Sequence, residues 1–111
     1  DDTLHPEYAY STYAFRQPVI AEHPAAIHGF LAAIEEAIVM INADPTAWDA
    51  LLTEQGLVPA SLIGSYEIPS FPPASVPNEA QWSDAVAWAL ENGLISAQVA
   101  YRDSVTNEYL P

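Results

Sequence analysis

The stretch that decides the fold is HPAAIHGFLAAIEEAIVMINADP, residues 23–45. Apolar residues recur at Ile27, Phe30, Leu31, Ile34, Ile38 and Ile41. Spacings of three and four place them on one stripe of an α-helix. Glu35 and Glu36 fall on the polar side, and Ala32, Ala33 and Ala37 add helix propensity. Pro24 suits the first helical position, where a missing N–H costs nothing. Pro45 discourages continuation, so the helix should stop near Asn42.

Outward from this helix the signals stay helical. Asp44 can cap a second helix with Pro45 in its first turn, and Trp48, Leu51 and Leu52 face inward. Gly56 should end it as a left-handed C-cap. A short third helix is expected from Pro59 to Gly64. Pro69, Pro72 and Pro73 then forbid regular structure, so residues 66–77 should run extended, with Ile68, Phe71 and Val76 pinning them to the helices. A fourth helix begins at Pro77 or Asn78, carries Trp82, Ala85, Val86 and Ala89 on one stripe, and ends at Asn92-Gly93. Ser96 should cap a last short helix through about Asp103.

On the amino-terminal side, residues 1–10 form a polar lead-in. Ser11–Phe15 (STYAF) is rich in strand formers and is closed by Arg16, Gln17 and Pro18, so residues 11–17 read as a strand or hinge. A lone strand cannot satisfy its backbone groups, and no second convincing strand is present. Together with the Asp1-Asp2 start, this leads us to expect a piece of a longer protein. The expected architecture is mainly α, about five helices with one short strand. The domain is a single unit over 1–111, with a helical body at 24–104 and an irregular tail at 105–111.

Composition narrows the function classes. Fifteen acidic residues face two basic ones, Arg16 and Arg102, for a net charge of −13. Nucleic acid and anionic lipid need clustered Lys and Arg, so neither is an expected partner. The charge suits a secreted or surface-displayed domain, a salt-adapted source, or a basic partner. Uninterrupted apolar runs such as Ala37–Ile41 fall far short of the ~20 residues of a membrane span, and no embedded segment is expected. The absence of cysteine excludes disulfides and thiol chemistry.

No motif supplies a reaction. His23 and His28 are five apart, whereas a helical metal pair needs three or four, so capping or surface roles are the simpler account. Glu35 and Glu36 are adjacent and point in different directions, and nothing pairs two carboxylates across a cleft. There is no G-x-S-x-G, and four glycines cannot build a phosphate loop. Gly56, Gly64 and Gly93 belong at helix ends, while Gly29 inside the first helix would allow close packing. No catalytic residue, cofactor or metal site is therefore expected. The candidate ligand contacts are Tyr10, Tyr13 and Arg16. Arg16 could clamp an anion in a bidentate fork or form an ordinary ion pair. The tyrosines, with Tyr8, could stack on a flat ring or merely pack.

The order of segments carries a resemblance. A strand leads into FRQPVIAEHPAAIHGFLAAIEEAIVMINADP (residues 15–45), then a proline-bearing loop, WALENGLIS (88–96) and YRDSVTNEYLP (101–111). Through His23-Pro24, Phe30, Ala33, Gly93-Leu94-Ile95, Val105 and Tyr109-Leu110 this resembles the carboxy-terminal third of a group of solute-binding proteins. They serve nitrate/sulfonate/taurine-type ABC importers and share a superfamily with proteins of thiamine-pyrimidine metabolism. The resemblance implies a fragment of the two-lobed α/β periplasmic-binding-protein fold of type II. It also implies an extracytoplasmic location, a small-molecule solute and an ABC permease as partners, with most ligand-binding loops upstream. Self-association of the fragment is expected through its bared strand edge or apolar face. The rival classes are a thiamine-pyrimidine enzyme on the same fold and an independent acidic helical interaction or sensor module.

Overall fold

In the computed structural model residues 11–111 are described, and they are mainly helical. The order is α1 (Gln17–Glu22), α2 (Pro24–Ala43), a 3-10 turn Pro45–Trp48 running into α3 (Asp49–Glu54), a 3-10 turn Ala60–Leu62, α4 (Glu79–Glu91) and a 3-10 turn Tyr101–Asp103. The expected short strand is not formed, and no strand occurs among the described residues. Residues 11–16 lack regular structure, and the chain turns into α1 at Gln17. Two physical reasons explain the error. An unpaired strand has nothing to complete its ladder. And Pro18, read from sequence as closing a strand, instead sits in the first turn of α1, the one part of a helix that tolerates it. The described residues fall into two compact units, Ala25–Ala74 with Leu110–Pro111, and the residues up to Pro24 with Ser75–Tyr109.

In the unit built on α2, the apolar stripe faces inward except at Phe30, which is exposed. Ile27 is buried, and Leu31, Ile34, Ile38 and Ile41 are half-buried. Asp44 caps the following turn, its Oδ1 accepting from Thr46 Oγ1 at 2.8 Å and from Ala47 N at 3.3 Å. Gly56, at φ 66°, ends α3 in a Schellman arrangement: Leu57 N donates to Leu52 O and Gly56 N to Thr53 O. The third helix shrinks to the turn Ala60–Leu62.

The proline-bearing segment lacks regular structure and turns at residues 73–74, and polar side chains of α2 hold it. Asn42 Nδ2 donates to Phe71 O at 2.8 Å, while Asn42 Oδ1 accepts from Phe71 N at 3.0 Å and from Ser70 Oγ at 3.4 Å. Seven residues earlier on α2, Glu35 Oε2 accepts from Ala74 N at 2.8 Å. Ala74 holds φ 40°, a left-handed conformation that costs a non-glycine residue roughly 1–2 kcal/mol. Two side chains about two turns apart on α2 thus fasten one stretch of backbone.

Helix α2 bears on the membrane expectation, because length and composition count as well as uninterrupted runs. Over 20 residues its best window has a mean hydropathy of 1.5, long and apolar enough to cross a bilayer by length and composition. Glu35 and Glu36, however, occupy its twelfth and thirteenth positions. A charge near the centre of a spanning helix costs about 2.5–3.5 kcal/mol on insertion scales, which weighs against a span.

In the other unit, α4 is capped at both ends. Asn78 Oδ1 accepts from Gln81 N at 2.9 Å. At the far end Gly93 adopts φ 68°, with Leu94 N donating to Ala89 O at 2.8 Å and Gly93 N to Leu90 O at 3.1 Å. Val86 is buried and Trp82 is half-buried. Trp82 Nε1 donates to Val99 O at 2.9 Å, and Tyr101 Oη donates to Pro77 O at 2.8 Å. The expected helix from Ser96 to Asp103 is reduced to Tyr101–Asp103. Its reason lies in these contacts: the Val99 carbonyl is taken by Trp82, and Ala100 is extended at φ −71°, ψ 139°. One or two turns of helix are marginal alone, and here the chain takes an extended residue at Ala100 instead.

Candidate functional site

Of the three candidate ligand contacts, Tyr10 lies outside the described residues. Tyr13 stands in the irregular segment before α1 with 60% of its surface exposed. Arg16 is the N-cap residue of α1, extended at φ −72° and ψ 142°, and its carbonyl accepts from Ile20 N at 3.1 Å. Its side chain is exposed. The other cation, Arg102, approaches its sequence neighbour Asp103 at 3.7 Å, with both side chains largely in water. A pair so exposed contributes little.

Among the described residues no polar or charged side chain is buried. Raising a carboxyl pKa, or sharpening a histidine as a base, requires desolvation or a close charged partner. His23 and His28 both sit on exposed positions, and no three His, Asp or Glu residues among those described converge as a metal site. The buried polar atom that stands out is Trp48 Nε1, which has no acceptor. An unmet indole N–H costs roughly 1–3 kcal/mol in stability, but it belongs to a half-buried packing residue and not to a cleft.

What the structure does present is apolar surface. Among the described residues three apolar side chains are buried, Ile27, Val58 and Val86, whereas thirteen large ones are exposed. Single exposed apolar residues are ordinary, but these fall in groups. On α4 and the segment after it, Trp88, Leu94 and Val99 stand out, with Trp88 at 60%. On α2, Val39 is 59% and Met40 50% exposed, and Phe30, counted from sequence as part of the inward stripe, is 41% exposed. A Cβ built on Gly29 meets nothing within 4 Å, so the close packing expected there has no counterpart within the chain.

The sequence reading missed this second face of α2, although its signal is present. Ala26, Phe30, Ala33, Ala37 and Met40 repeat at intervals of four and three, and all five are exposed. That repeat is the spacing of a helix seam. It was hidden by the stronger stripe of isoleucines beside it.

Compared with protein-family models, with curated proteins and with solved structures, the chain matches none.

Proposed function

We propose that the chain is a non-catalytic helical packing element, whose exposed apolar faces are completed by another protein surface. The observation that carries this reading is the imbalance between three buried and thirteen exposed large apolar side chains among the described residues. Surface of that kind marks interaction sites. Among the described residues no polar or charged side chain is fully buried.

The order of segments supports a more specific form. In it, the covering surface is the rest of an extracytoplasmic solute-binding protein that hands a small solute, such as a thiamine pyrimidine, a sulfonate or nitrate, to an ABC permease. The chain then buttresses one lobe. The helices at Pro24–Ala43 and Glu79–Glu91 and the glycine stop at Gly93 favour this form. The irregular backbone at residues 11–16 removes one of its supports, since no strand joins the lobes there.

Calorimetric titration of the chain with a pyrimidine, taurine and nitrate tests the reading. The expected outcome is no binding tighter than millimolar. Micromolar binding of any of the three by this chain alone would overturn it, because a self-contained site would then exist.

A further inference from the structure

Helix α2 is about 30 Å long, and one side of it carries a seam of small and flexible apolar residues: Ala26, Gly29, Phe30, Ala33, Ala37 and Met40. Every one of these is exposed. Gly29 and the alanines keep the seam shallow, and open space above Gly29 leaves room for close backbone approach. Methionine adapts to whatever packs on it. Such a seam accepts another helix through anchors at three- and four-residue spacing.

Charge decides which helix. The span Ala25–Ala74 contains six carboxylates (Glu35, Glu36, Asp44, Asp49, Glu54 and Glu67) and no lysine or arginine. Glu36 stands exposed beside the seam, one turn from Ala33 and from Met40. Interfaces pair an apolar centre with a rim of complementary sign. The chain carries a net charge of −13, so a second copy would bring like charge to the seam, and an anionic lipid surface would be repelled in the same way. Resting on the packing-element reading above, we propose that the outer face of α2 docks a cationic amphipathic helix of a partner protein, apolar residues on the seam and Lys or Arg toward Glu36 and the acidic surface of the chain.

The test uses the full chain and a synthetic 18-residue amphipathic helix of leucine and lysine as probe, titrated at physiological ionic strength. Attraction by net charge alone must be separated from docking, and Ala33→Glu does so. It adds an acid, which strengthens non-specific attraction, while placing a charge in the middle of the seam. The expected result is saturable one-to-one binding in the micromolar range that Ala33→Glu weakens at least tenfold. Ala87→Glu, at an exposed position of α4, should leave the affinity unchanged or slightly tighter. Met40→Glu provides a second seam variant, and circular dichroism confirms that each variant keeps its helix content. Binding that is absent, or that tightens with both seam variants, would overturn the proposal. So would a wild-type dimer in sedimentation that Ala33→Glu dissolves, since a second copy would then be the occupant. These outcomes are independent of the solute titration: micromolar solute binding breaks the functional reading, whereas an insensitive seam breaks only the docking.

Discussion

The two units solve one problem by different chemistry. Each fastens an irregular segment to a helix through side-chain hydrogen bonds to backbone. On α2 the fasteners are Asn42 and Glu35, polar groups at the surface that hold Phe71 and Ala74. On the α4 side they are aromatic: Trp82 reaches Val99, and Tyr101 reaches Pro77. An aromatic fastener supplies both a hydrogen bond and buried apolar area, whereas an exposed amide supplies direction and little burial. The α4 clasp should therefore carry more stability, and the α2 clasp should mainly fix the path of the chain.

The sharpest way to break this comparison is at Trp82. Trp82→Ala should cost about 3 kcal/mol in urea unfolding, while Trp82→Phe, which keeps most of the area and loses the donor, should cost about 1 kcal/mol. Equal losses from the two variants would mean that the indole N–H, and not the ring, carries the clasp. A smaller effect is expected at Asn42. Asn42→Ala should lower stability by about 1 kcal/mol or less. Its clearest readout is hydrogen exchange, with Phe71 N–H losing protection while Gln81 N–H, held by the Asn78 cap, keeps it. Retained protection at Phe71 would show that the apolar contacts of Ile68 and Phe71 hold the segment after all.

The smallest pair of effects concerns two glycines and should differ in sign. Gly93→Ala places a Cβ at φ 68° and should destabilise α4 by about 1 kcal/mol. Gly29→Ala meets open space inside a helix and should stabilise the free chain by about 0.8–1 kcal/mol. Thermal unfolding of both variants checks the pair, and a destabilising Gly29→Ala would show that another surface already lies against Gly29.

The parts of the fold that sequence made legible are those written in local chemistry. Asp44 caps where it should, because a short oxygen-bearing side chain before a helical run has a nearby backbone N–H to meet, and Asn78, read as a possible helix start, caps α4 in the same way. Gly56 and Gly93 stop their helices because the left-handed C′ position strongly favours glycine. The prolines at 69, 72 and 73 keep their segment free of helix for equally local reasons. Where reading failed, the deciding partner was distant. Ser11–Phe15 has strand composition, yet strand composition records a fit to a neighbour and not a backbone preference. Residues 96–100 have no local bar to helix, yet Val99 is engaged by a tryptophan seventeen residues earlier. As for the candidate contacts, Tyr13 and Arg16 had no spacing that tied them to anything, and their exposure follows from the segment they occupy.

By itself, then, the sequence determined the helical class, the carboxy-terminal ends of α2, α3 and α4, the irregular proline segment and the acidic composition. Each of these rests on interactions spanning five residues or fewer, or on charge that needs no geometry. Only tertiary structure decided that Asn42 and Glu35 fasten the proline segment, that Trp82 and Tyr101 hold the chain after α4, and that α2 has an apolar face left over. Those outcomes depend on which side chains meet across 17 to 39 residues of chain, and that is a matter of packing, not of local preference.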